Sequence, residues 1–383
     1  MKIARFIYDD EIYYGKVVPR DNKIIKLDGD LYGEYYLTEK EFSLDQARLL
    51  SPVLPPNIIA IGLNYRQHAR ESGHDIPERP VIFLKATTSL TGPGSRIMLP
   101  AEAPDKVDFE AELAIIIGRR AKNITPEEVD DYVLGYTCAN DVSARDCQQE
   151  YDEQWARAKS FDTFCPLGPW IATGVNPDDL TVRSLLNDKV MQDSRTEDMI
   201  FKPQELISYC SRNMTLLPGT VILTGTPEGV GMARRPPVYL ESGDEIKIEI
   251  ENIGILKNKV GREKKDQKPG HRVLTAWREL GGTTQITPGI LDKIKSFIDD
   301  GMEEELITEV MKYSKEQVQG SPFAYMFSIL NDYLKQGIYS LNDYHNVFSG
   351  GKDDGEGIQK INRRKKAAAP EQDLEELYKK GYR

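Results

Sequence analysis

Asp108-Phe109-Glu110-Ala111-Glu112 runs directly into Leu113-Ala114-Ile115-Ile116-Ile117-Gly118. The apolar run from Leu113 to Ile117 reads as a strand, and residues two apart in a strand share a face. Asp108, Glu110 and Glu112 are therefore expected to project together from a strand that continues into the core. Like charges so placed repel, and burying them is costly unless a cation compensates. A divalent ion does this well, and carboxylate oxygens suit Mg2+ or Mn2+. An exposed edge strand with a solvated acidic face has the same pattern, so this segment alone leaves both readings open.

Strand-like runs surround this segment. Val81–Leu84, Val221–Leu223 and Glu245–Ile250 are apolar or alternating. Ile246, Ile248 and Ile250 alternate with charged neighbours, which predicts one wet face. Pro203 opens a helical stripe of Leu206, Ile207, Cys210 and Met214. Strands outnumber helices, without the regular alternation of a doubly wound sheet. The expectation is an α+β, strand-rich mixed fold. Residues 1–54 read as a small N-terminal β domain closed by Pro52, Pro55 and Pro56, and residues 55–262 as the catalytic domain.

Further polar segments lie along the same region. Asn140-Asp141-Val142-Ser143-Ala144-Arg145-Asp146 follows an apolar run, where polar groups often line clefts. Asp141 offers a third carboxylate; it or Ser143 could equally cap a following helix. Lys159, in Ala158-Lys159-Ser160-Phe161-Asp162, could neutralise a developing enolate or carboxylate charge beside a metal. Lys85 ends the run Val81-Ile82-Phe83-Leu84. A lone lysine of either kind is more often solvated. On a helical turn His68 and Glu71 are neighbours, and a carboxylate beside an imidazole raises its basicity. A surface histidine next to a surface glutamate is the commoner origin of that spacing. Thr224-Gly225-Thr226-Pro227-Glu228-Gly229-Val230-Gly231 is neither a Walker loop nor a dinucleotide fingerprint. Its amides could bind a carboxylate, or its glycines could serve a tight turn with positive φ. No serine or cysteine sits in a recognisable nucleophile motif.

Taken together these segments resemble the fumarylacetoacetate hydrolase family over about residues 1–260. The resemblance rests on G-x-N-Y…H-x-x-E, F-x-K, D-x-E-x-E-L-x-x-x-I-G, N-D-x-S-x-R-D, K-x-x-D-x-F-x-P-x-G-P and T-G-T-P-x-G-V-G, in the family's order. It implies a mixed β-roll, usually as a homodimer. It implies Glu110, Glu112 and Asp141 as ligands of Mg2+ or Mn2+, Lys159 as the charge-stabilising lysine, and His68 with Glu71 as the water-activating pair on a lid. Tyr65, Arg66, Lys85, Arg145, Gln148 and Thr226 are the expected substrate contacts. A small α-keto acid can chelate one metal, which polarises its carbonyl and favours an enolate. Hydrolysis of a C–C bond in a 2,4-diketo acid, of acylpyruvate or fumarylpyruvate type, is ranked first. Oxaloacetate decarboxylation follows, and 2-hydroxymuconate-type isomerisation or hydration would use the same site.

Composition shifts after Gly261. Residues 263–285 read as a linker and 286–348 as an all-helical module, with stripes Ile290, Leu291, Ile294, Ile298, then Leu306, Ile307, Val310, then Phe323, Phe327, Leu330, Leu334. This module resembles the helical domain of DnaD-type primosome proteins, although Tyr333 stands where that family often has tryptophan. The resemblance makes a replication-linked DNA-binding or assembly role the alternative from another class, through residues 286–366. Residues 349–383 read as a flexible tail with a short acidic helix at Glu371–Tyr378. A net charge of −11 argues against non-specific nucleic-acid binding by the whole chain. No apolar run approaches the roughly 20 residues that span a bilayer. The N-terminus lacks a signal peptide's apolar core, and the four cysteines show no C-x-x-C pair. The expected compartment is the cytoplasm.

Overall fold

The computed structural model describes residues 1–152, 154–263, 271–279, 286–318 and 322–348. The chain divides into two compact units, one of Met1–Asp266 with Asp299–Gly301, the other of Gln267–Ile298 with Met302–Arg383.

The first unit is built on two main sheets, with a separate two-stranded pairing of Val107–Asp108 and Ser143–Ala144. The larger runs in the order Tyr35–Ser43, Lys23–Gly29, Glu11–Val18, Lys2–Tyr8, Cys165–Ala172, Val133–Asn140, Ala111–Ile117, Val221–Leu223, Ile58–Ile61, Ile82–Lys85. Within this order only Val221–Leu223 and Ile58–Ile61 pair in parallel, so the sheet is mixed. The second sheet has the order Lys189–Arg195, Thr181–Leu186, Glu245–Ile250, Gly254–Arg262, Arg96–Leu99. Leu113, Ile115 and Ile117 from one sheet share a buried cluster with Val182, Ile246, Ile248 and Ile250 from the other. Ala114 and Ile116 point to a different core with Ala60, Val221 and Leu223. The central strand is thus buried on both faces, which is why its sequence is a continuous apolar run. The strand-rich α+β expectation holds.

The N-terminal strands do not close a sheet of their own. Lys2 pairs with Ala172 and Ile3 with Ile171, so they extend the large sheet at one end. They do keep a satellite core of Ala4, Phe6, Val17, Ile24 and Phe42.

The second unit is helical: His271–Glu279, Pro288–Asp299, Glu304–Gln317, Phe323–Lys335 and Leu341–Phe348. The predicted stripes meet in one core, with Ile294, Leu306, Ile307, Val310, Phe327, Leu330 and Leu334 buried together. Gly301, with φ +92°, falls in the break between two of the helices. The linker reading is corrected over 271–279. That stretch forms a helix whose Val273, Ala276 and Trp277 belong to the same core. The charged stretch that precedes it led the linker reading to be carried through it. Residues 264–270 and 280–285, and the tail 349–383 with its acidic helix candidate, lie outside the described residues. No helix among the described residues is long and apolar enough to cross a membrane.

Candidate active site

Sheet register brings the acidic residues together. Ala111 pairs with Asn140 and Glu112 with Ala139 across neighbouring strands. One residue beyond each strand, the Asp141 amide donates to the Glu110 carbonyl at 2.9 Å, and the Glu110 amide donates to Asn140 Oδ1 at 3.0 Å. Glu110, Glu112 and Asp141 each offer a carboxylate oxygen, and these oxygens lie within 4.8 Å of one another. All three residues are buried. An octahedral magnesium or manganese ion with oxygens at about 2.1 Å spaces its ligand atoms by about 3 to 4 Å, so modest closure would suffice. The all-oxygen donor set and the burial of three like charges both fit a hard dication.

Cations surround the triad. Lys159 Nζ donates to Glu110 Oε2 at 2.8 Å and to Asp141 Oδ2 at 2.7 Å. Lys85 Nζ donates to Asp141 Oδ1, and both lysines are buried. Arg145 Nη2 forms ion pairs with Glu110 Oε1 at 2.7 Å and Asp108 Oδ2 at 2.9 Å, while Nε donates to Asp108 Oδ2 at 3.0 Å and Nη1 to Gln148 Oε1 at 2.7 Å. Burial alone would raise the Glu110 carboxyl, but Lys159 and then Arg145 outweigh it and hold it down at about 2. His68 contributes weakly in the same direction. Burial, then Asp141 and Glu110, push the Glu112 carboxyl well above its usual range. Burial works against the Lys159 charge, yet Asp141 and Glu110 overcome it and raise the ammonium's pKa.

Asp108 departs from the expected row of three. The strand breaks at Phe109 and Glu110, so Asp108 sits in a separate short pairing with Ser143. Its carboxylate is occupied by Arg145 and by the amides of Gly231 and Met232 at 2.8 and 3.0 Å.

His68 and Glu71 lie on the helix Arg66–Ser72, with His68 Nδ1 at 3.1 Å from Glu71 Oε2. The glycine-rich loop reaches both this pair and the triad. Gly229 N donates to both Glu71 oxygens at 2.9 and 3.1 Å, and Gly225 N donates to Glu112 Oε2 at 2.7 Å. Its amides thus hold carboxylates of the protein itself, and both glycines have positive φ, +90° and +94°.

Several expected substrate contacts have internal partners. Arg66 donates to the Asp198 and Met199 carbonyls at 3.1 and 2.6 Å. Thr226 Oγ1 donates to the Ala111 carbonyl at 3.1 Å. Gln148 is the acceptor of Arg145 just described. Tyr65 differs: it is fully buried, and its hydroxyl has no hydrogen-bond partner. Burial first, then Glu112, pushes that phenol well above its ordinary value. Two buried amides escaped the sequence reading. Asn64 ties Thr224 O to Phe201 N at 2.7 and 2.8 Å, and its signal lay inside the quoted G-x-N-Y motif. The second is Gln192, one polar residue in an ordinary strand pattern.

Residues 57–261 match the model of the fumarylacetoacetate hydrolase C-terminal family, more than half of the chain. The chain belongs to the fumarylacetoacetate hydrolase family. Residues 1–52 match an N-terminal family described as Rv2993c-like. Residues 278–346 match a family described as replication initiation and membrane attachment. A relative within this set is the mitochondrial oxaloacetate tautomerase Fahd2a of Rattus norvegicus, 45% identical over 219 residues, 56% of this chain and 70% of the relative. The 5-carboxymethyl-2-hydroxymuconate delta-isomerase of Mycobacterium smegmatis is 43% identical, with a TM-score of 0.63 over 69% of this chain and 100% of its own. Maleylpyruvate hydrolase from Sphingobium sp. SYK-6, in complex with manganese(II) and pyruvate, is 30% identical, with a TM-score of 0.56 over 69% and 100%. The named relatives thus include a tautomerase, an isomerase and a hydrolase.

Proposed function

We propose that the first unit is a Mg2+- or Mn2+-dependent enzyme that moves a proton at the carbon next to the keto group of a small 2-keto dicarboxylate. The supporting observation is the convergence of Glu110, Glu112 and Asp141 beside Lys159, with the His68–Glu71 pair fastened to the loop that holds Glu112. Four buried carboxylates, Asp108, Glu110, Glu112 and Asp141, face three cations, Lys85, Arg145 and Lys159. The cluster carries one negative charge when all are ionised. A dication reverses that sign, and the site then favours an anion such as a keto carboxylate.

Glu110, Glu112 and Asp141 hold the ion, which when bound polarises the substrate carbonyl and favours enolate charge. Lys159 keeps a fixed positive charge beside that carbonyl. Glu71 orients His68 through Nδ1, which leaves Nε2 as the nitrogen that takes and returns the proton. Oxaloacetate is the first substrate to try, because the rat relative is named for its tautomerisation. Decarboxylation would instead release carbon dioxide and leave the electrons of the broken C–C bond as an enolate that the same charges stabilise, while muconate-type isomerisation or hydration would begin with proton transfer in the same site. Hydrolysis of a 2,4-diketo acid of acylpyruvate or fumarylpyruvate type, ranked first from the sequence, becomes the second reading, supported by the His68–Glu71 pair, which can activate water.

The test is a screen with each metal of oxaloacetate, acylpyruvates and 2-hydroxymuconates, following enol absorbance and carbon dioxide release. Metal-dependent loss of oxaloacetate enol absorbance without carbon dioxide supports tautomerisation, and cleavage of an acylpyruvate supports the second reading. No metal-dependent turnover of any of them sinks both. The expected homodimer is checked by light scattering.

The match over 278–346 supports a separate role for the helical unit in replication-linked DNA binding or assembly. Phosphate binding needs basic residues and weakens with salt. A gel shift of the full chain at two salt concentrations tests it; no shift at low salt ends the DNA form of this reading.

A further inference from the structure

Gln192, on the strand Lys189–Arg195, is fully buried. Its carboxamide makes three contacts. Oε1 accepts from the Ala111 amide at 2.9 Å, and Nε2 donates to Thr226 Oγ1 at 2.8 Å and to the Pro227 carbonyl at 2.9 Å. Thr226 Oγ1 in turn donates to the Ala111 carbonyl. The result is a closed circuit in which Gln192 and Thr226 satisfy both backbone groups of Ala111.

Ala111 is the residue between Glu110 and Glu112. Thr226 and Pro227 lie between Gly225, whose amide holds Glu112, and Gly229, whose amide holds Glu71. Gln192 therefore stands where the strand carrying two carboxylates of the triad meets the loop that carries the Glu71 anchor. Only a primary amide supplies one acceptor and two donors in this planar arrangement. Such a group fixes the ligand strand without touching ion or substrate.

We infer that Gln192 is a positioning residue that sets the spacing between the Glu110–Glu112 ligand pair and the His68–Glu71 proton-transfer pair. This rests on the metal reading above. Gln192→Glu keeps the shape and the acceptor but removes both donors and turns a carboxylate toward the Pro227 carbonyl. Gln192→Leu removes all three bonds. Loss of a group that supports metal ligands typically weakens metal binding by about 10- to 100-fold.

The experiment is Mn2+ titration by electron paramagnetic resonance on folded protein, with kcat and KM measured alongside. The expected result is Mn2+ affinity weaker by about tenfold or more in the two variants, with kcat reduced more than KM is raised. Val190→Ala, an exposed change on the same strand, is the control that keeps wild-type values. Mn2+ affinity shifted less than about fivefold overturns the inference even if thermal stability falls. The unaltered protein decides the matter if neither variant folds. There, Mn2+ is expected to slow amide exchange at 191–195 and 224–229 as well as at 110–112, whereas protection confined to 110–112 and 141 overturns it. If the unaltered protein binds no Mn2+, the metal reading fails and this inference falls with it. If it binds and the variants match it, only the inference about Gln192 falls.

Discussion

The amide of Gly229 donates to both carboxylate oxygens of Glu71, at 2.9 and 3.1 Å, and so fastens the helix carrying His68 to the glycine-rich loop. His68 then meets a carboxylate already held in place, which favours one tautomer. Glu71→Gln and His68→Ala are expected to lower kcat by roughly 10²- to 10⁴-fold while Mn2+ affinity stays unchanged. Steady-state kinetics beside a Mn2+ titration check this. Weakened metal binding in either variant would move the pair from proton transfer to metal retention.

Lys159 shares the oxygens of Glu110 and Asp141 with any ion bound among them. Lys159→Met is expected to reduce kcat by about 10²-fold or more, as for loss of one preorganised charge. Metal affinity should hold or rise, because a competing cation has left. A Mn2+ titration that shows weaker binding contradicts the assigned role.

The Glu112 carboxyl is raised well above its ordinary 4.5 by burial, then by Asp141 and Glu110. Above pH 4.5 and below that raised value, the folded metal-free chain holds a proton that the unfolded chain lacks. The stability from this group is full below 4.5 and is lost as pH climbs through the folded pKa. Metal binding requires the ionised form, so Mn2+ affinity should rise with pH over the same window, with proton release. Calorimetric titration at about pH 5.5 and about pH 7.5, in buffers of different ionisation enthalpy, reads both effects. Affinity that is flat across this range would contradict them.

Gly229 and Gly243 both have positive φ, +94° and +101°. A Cβ at Gly229 would meet the Met191 carbonyl at 2.5 Å, whereas at Gly243 it would meet nothing within 4 Å. Both alanine variants incur backbone strain of about 1–3 kcal/mol. Only Gly229→Ala should also displace the Glu71 anchor. Thermal melts and kcat together check this: both variants melt lower, and Gly229→Ala alone loses activity out of proportion.

How far the sequence was readable follows from where each constraint lies. The acidic strand pattern of Glu110 and Glu112 was visible but shared with an exposed edge, and Asp141 also read as a cap; the family resemblance singled out the three together, and sheet register does bring them together. The twofold alternation also predicted that Asp108 would join them. A break at Phe109–Glu110 sends it to Arg145 instead, and a strand break leaves no mark when flanking residues keep their polarity. Gln192 could not be read, since its importance lies in three hydrogen bonds to distant backbone and side-chain groups. The helix at His271–Glu279 was missed because the charged stretch before it was carried on as a linker, although Val273, Ala276 and Trp277 stand at helical spacing. The stripes between Ile290 and Leu334 were legible as apolar positions at helical spacing in three successive segments.

The central claim is that Glu110, Glu112 and Asp141 hold one dication. Anomalous diffraction from crystals grown with excess Mn2+ tests it most directly. The account predicts one strong peak per chain, about 2.2 Å from an oxygen of each of the three residues. A map with no peak among those oxygens, while Mn2+ is visible elsewhere on the chain, contradicts it.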